Sequence, residues 1–92
     1  MKEVFKCRID ITAEPNVTAP SDIEVIHIAE QNGALVLWGI VEVDDIGSNT
    51  YEQSDLRLCI RGTGRVFTGN EGKHIATVQM PTGLVLHIFW RL

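Results

Sequence analysis

Arg61-Gly62-Thr63-Gly64-Arg65 is the stretch of this chain best equipped to hold a small anion. Glycines let backbone amides approach a negative group, a threonine hydroxyl can donate, and two arginines can fork a phosphate or carboxylate. The spacing is not that of the phosphate-cradling loop, which needs G-x-x-x-x-G-K-[ST], nor that of a dinucleotide turn opening a helix. A simpler reading makes these residues a glycine turn between strands with two exposed arginines. The sharper one makes Arg61, Gly62, Thr63, Gly64 and Arg65 a site for a small anion or nucleotide. Such a sponge-like binder would be oligomeric, because so short a β domain has little room for a deep pocket of its own.

Carboxylates form the second candidate. Residues 1–8 carry Lys2, Lys6 and Arg8 against Glu3. Residues 9–56 contain ten acids and no lysine or arginine, and residues 57–92 carry five bases against Glu71. The formal net charge is −4. If the outer strands interleave with the middle ones, the signs mix in space. If they do not, an acidic face centred on the Asp44–Asp55 loop steers and holds a basic partner. That reading selects Asp44, Asp45, Glu52 and Asp55, with Tyr51 as an aromatic anchor. Non-specific nucleic-acid binding is disfavoured, since phosphate contacts dominate such affinity and the overall charge opposes them. The loop acids lack the spacing of a calcium-binding loop.

Little else carries chemistry. His27, His74 and His87 fall in or at apparent strands, two of them beside tryptophans, and no serine or cysteine is placed beside a histidine–carboxylate pair. We expect no catalysis. Cys7 and Cys59 lie in apolar strand patterns and read as small buried hydrophobes, unpaired in a reducing compartment. No C-x-x-C or H-x-x-x-H spacing offers a zinc site, so neither metal nor cofactor is expected.

The elements that must position these residues are strands. Phe5, Cys7, Ile9 and Ile11 alternate with Lys6, Arg8 and Asp10 at period two. Pro15 and Pro20 confine the next stretch to loop or edge strand, with a short extended piece at Val17 to Ala19. Asn32-Gly33 supplies the positive-φ pair of a type I′ turn, so Gln31 faces Ala34, Ile28 faces Leu37 and His27 faces Trp38. Both faces of that hairpin are apolar, which predicts a central position covered on both sides. After the polar loop come a strand at Leu56 to Ile60, an extended Val66-Phe67-Thr68, and a hairpin around Pro81-Thr82-Gly83. In the last, Ala76 faces Ile88, Thr77 faces His87 and His74 lies beside Trp90. No window shows a helical stripe. The chain reads as an all-β domain, a compact antiparallel β-sandwich or small barrel built from hairpins.

Ninety-two residues allow one domain, 1–92, and at 45% apolar and 22% charged residues the composition is that of an ordinary globular protein. No apolar run is long enough to span a bilayer and the start lacks a secretory pattern, so no membrane partner and cytosolic folding are the expectations. The nearly unbroken apolar ending Leu84 to Leu92 must be a central strand in a monomer. At an edge it would pair with itself and make a homodimer.

Several of these segments together resemble a family of short proteins of unknown function encoded by tailed bacteriophages and prophages. The resemblance rests on the hairpin Ile26 to Trp38 with Leu35-Val36-Leu37-Trp38-Gly39, on Ile60-Arg61-Gly62-Thr63-Gly64, on His74-Ile75-Ala76-Thr77-Val78-Gln79, and on Gly83-Leu84-Val85-Leu86-His87-Ile88-Phe89. They cover about half the chain in the family's order. Where that family usually has histidine after the Gly-Thr-Gly, this chain has Arg65, and its tail runs on through Trp90-Arg91-Leu92. The resemblance implies a phage accessory product in the cytoplasm of the infected host, acting by binding a host protein. The alternative from the residues themselves remains the anion binder at Arg61–Arg65.

Overall fold

The turn at Asn32 and Gly33 sets the first half of the structure, a computed structural model that describes residues 1–43 and 52–91. Asn32 has φ 52° and Gly33 φ 85°, the left-handed pair a two-residue hairpin requires. The turn joins β3 (Glu24–Gln31) to β4 (Ala34–Glu42) in the expected register, Ile28 opposite Leu37 and His27 opposite Trp38. β1 (Lys2–Ile9) pairs with the other side of β4, giving a three-stranded antiparallel sheet in the order β1-β4-β3.

The second sheet runs β2-β5-β7-β6, from β2 (Asn16–Pro20), β5 (Gln53–Gly62), β6 (Lys73–Gln79) and β7 (Val85–Trp90). Pro20 lies on the edge strand β2, where a missing amide donor is tolerated. The apolar ending is central, since β7 is paired by β5 on one side and β6 on the other. All ladders are antiparallel and no helix occurs among the described residues. The sheets pack as a small β-sandwich over Ile9, Leu35, Leu37, Leu58 and Ile88, each essentially without solvent contact.

Five expectations need correction. β3 is an edge strand rather than a covered one, and Ile26 is half exposed there. An extra residue between Val25 and His27 throws Ile26 out of the ladder. A second bulge between His74 and Ala76 moves His74 beside Phe89 rather than Trp90, with ring centroids 5.4 Å apart. Val66-Phe67-Thr68 is no strand. It crosses the outer face of the second sheet, and Phe67 lies on Phe89 at 5.4 Å. β5 begins at Gln53, so Asp55 belongs to a strand, opposite Thr18, and not to a loop.

Candidate functional site

Arg61 and Gly62 end β5, and Gly64, at φ 87°, turns the chain so that the Arg65 amide donates to the Gly62 carbonyl at 3.1 Å. The Arg65 stem lies over Gly62. Arg61 points back into the protein instead. Its Nε donates to Glu71 Oε2 at 3.2 Å and its Nη1 to the carbonyls of Ala13 at 3.0 Å and Ile60 at 3.1 Å. Thr63 Oγ1 is bonded to His87 Nε2 at 2.8 Å. Two of the three polar side chains in this segment are therefore engaged by the protein itself. Arg65 is the exposed cation, on the rim of a shallow apolar hollow of about 430 Å³ that Arg61 and Gly62 also line, with Ile11, Leu84 and Leu86.

Glu71 explains why Arg61 turns inward. Its side chain has no solvent exposure, and it accepts the Thr68 amide at 3.0 Å, the Thr68 hydroxyl at 3.0 Å and the Gly69 amide at 2.9 Å, besides Arg61. These donors, the Thr68 amide foremost, hold its pKa down to about 2 against the opposing effect of burial. The carboxylate thus ties residues 68–71 down beside β5. Sequence reasoning passed over Glu71, although a lone acid among five bases is the signal that could have found it.

The described acidic candidates, Glu52 and Asp55, lie at the other end of β5, about 30 Å away along ten extended residues. The Ser21 amide donates to the Glu52 carbonyl at 2.9 Å, bringing the end of β2 beside the start of β5. Asp22 Oδ2 accepts the Glu42 amide at 3.4 Å, and Asp22, Glu24 and Glu42 border one hollow of about 170 Å³ with Lys2. Glu42 is paired with the Met1 amino group at 3.5 Å and Lys2 Nζ at 3.9 Å. No ion pair reaches Asp22, Glu24, Glu52 or Asp55 among the described residues. Asp55 is exposed, with Thr18 Oγ1 at 3.5 Å. Asp44, Asp45 and Tyr51 lie outside the described residues. Asp22, Glu24 and Glu42 were not singled out by sequence, because only the pairing of β3 with β4 places them together.

The profile of a domain of unknown function, DUF7352, matches residues 1–92. The chain belongs to this family. No curated protein and no solved structure matches the chain.

The DUF7352 domain also carries a row of hydrogen-bonded side chains that sequence reading had treated as separate strand residues. His74 Nε2 is 2.8 Å from Thr77 Oγ1, Thr77 Oγ1 is 3.1 Å from His87 Nδ1, and His87 Nε2 meets Thr63. The Thr77 hydroxyl has one proton and two lone pairs, so it can donate to at most one of the two imidazoles. The row contains no carboxylate and no thiol. Cys59 is buried and Cys7 half-buried, both unpaired, and burial pushes the Cys7 thiol up.

Proposed function

We propose that this DUF7352 chain is a non-enzymatic accessory protein that binds a basic macromolecular partner through its acidic end. Asp22, Glu24, Glu42 and Glu52 form the described part of the surface, with Asp55 beyond it on β5. Asp44, Asp45 and Tyr51, which the sequence reading assigns to the same surface, lie outside the described residues. The reading rests on one observation: Asp22, Glu24 and Glu42 border one hollow, with the Glu52 backbone beside Ser21, and among the described residues the cations that reach these carboxylates pair only with Glu42. Like-signed charge collected on one end raises the on-rate and affinity for an oppositely charged surface. The resemblance to phage and prophage products adds the setting, in which the partner is a host protein met in the infected cytoplasm. A small-anion or nucleotide site at Arg61–Arg65 is the weaker reading, because among the described residues Arg61 is committed to Glu71 and, of the two arginines, only Arg65 is left without an ion pair.

Capture from host lysate tests the proposal. Retention at about 0.05 M salt should fall away at about 0.5 M, where screening shortens the reach of surface charge. It should also fall away when Asp22, Glu24 and Glu52 are all changed to lysine. Retention indifferent to both changes contradicts it.

A further inference from the structure

A hollow of about 520 Å³ opens where the free edge of β3 passes the free edge of β6, within the range of about 300–1,000 Å³ usual for small-ligand sites. Its polar lining is His27, Lys73, His74 and Thr77, and its apolar lining includes Ile26 and Ile75. No carboxylate among the described residues lines it, in a chain whose acids outnumber its lysines and arginines twelve to eight. Among the described residues Lys73 has no ion-pair partner, and the His27 ring stacks on Trp38 at 5.7 Å without a side-chain hydrogen bond of its own. Lys73 and the His27 ring are thus uncommitted among the described residues, whereas His74 Nε2 and the Thr77 hydroxyl are bonded to each other, which leaves His74 its Nδ1.

Both strands bulge at this point. The β3 ladder slips between Val25 and His27, and the β6 ladder between His74 and Ala76. Two bulges face one another across the gap. A bulge re-aims side chains and interrupts the run of backbone donors that an added strand would need. The edges are thus poorly suited to an extended peptide and better suited to a compact ligand.

We propose that this hollow binds a small organic anion, a carboxylate or phosphate monoester on an apolar body. Lys73 and the imidazoles of His27 and His74 receive the charged head, and Ile26 and Ile75 receive the body. The site is independent of the acidic end, and either can fail without the other.

The test follows the ring C–H resonances of the three histidines while benzoate, phenyl phosphate or uncharged benzyl alcohol is added to the full chain. Both anions should move the His27 and His74 signals saturably, the tighter of the two naming the preferred head group. Benzyl alcohol should bind at least about tenfold more weakly, the worth of one charge-assisted contact. Lys73→Gln, an exposed substitution, should weaken the anions about tenfold, and Lys73→Glu more. Arg65→Gln removes an exposed charge of the same sign elsewhere and should change affinity less than about twofold. Equal binding of the alcohol, equal losses from Lys73→Gln and Arg65→Gln, or a response only to an acidic extended peptide along the β3 and β6 amides would each overturn the proposal.

Discussion

Gly72→Ala is expected to lower stability by about 2–5 kcal/mol. Gly72 has φ 106°, where an ordinary residue is disfavoured by about 1–2 kcal/mol. An added Cβ would also lie 1.9 Å from the Trp90 carbonyl oxygen and 2.8 Å from its carbon. Those are backbone atoms at the end of β7, where Trp90 pairs with Lys73, so no side chain can swing aside to make room. Overpacking of this kind adds about 1–3 kcal/mol. For a domain of this size the sum corresponds to a fall in Tm on the order of 10–30 °C, read by thermal unfolding followed by circular dichroism. Gly33→Ala is the control. Gly33 also has positive φ, at 85°, but a Cβ there meets nothing within 4 Å, so only the conformational cost of about 1–2 kcal/mol remains. Equal effects at the two positions would show that the approach of Gly72 to β7 does not limit the fold.

Glu71 should make the protein acid-sensitive in a defined window. Its pKa is held down from an ordinary 4.5 to about 2 in the folded protein, so between these values the unfolded chain binds the extra proton. The stabilisation is fully present above about pH 5 and is lost as pH falls through the folded value near 2. Glu71→Gln removes the titration and sets an amide NH₂ among groups that donate, the Thr68 and Gly69 amides and Arg61 Nε. At pH 7 the variant should melt on the order of 10 °C or more below the natural protein. The gap should narrow steadily between about pH 5 and pH 2. Other carboxylates titrate in both proteins, so the difference between the two melting curves isolates Glu71. A constant gap across that range would show that the buried carboxylate is not what acid attacks.

Much of this fold was readable because its strongest signals are local. Asn32-Gly33 admits essentially one hairpin, and with it the pairing of Ile28 with Leu37 and of His27 with Trp38. Alternating apolar residues identified the strands, and the nearly unbroken apolar run Leu84–Leu92 left a choice between a central strand and a self-pairing edge, which the pairing of β7 on both sides decides. What failed depended on tertiary closure. Apolar faces on both sides cannot distinguish β3 at an edge from β4 in the middle. The bulges at Ile26 and Ile75 follow from where the two sheet edges meet, which no spacing encodes. Val66-Phe67-Thr68 has the residue types of a strand, but Glu71 and Phe89 hold that segment across a sheet face instead. For the site, the sequence told the sign of residues 9–56 but not which acids would meet. Asp22, Glu24 and Glu42 converge through β-pairing, and Asp55 is carried along β5. Likewise two arginines four residues apart look like a fork until one of them is seen bonded to Glu71.

The most direct measurement is an amide chemical-shift map of the full chain titrated with oligolysine at low salt. A docking surface at the acidic end predicts saturable shifts at Asp22, Glu24, Glu42 and Glu52 and in the segment between Val43 and Glu52, with Gly62 to Arg65 still. Shifts spread evenly over both ends of β5, or no shifts at those carboxylates, would contradict it.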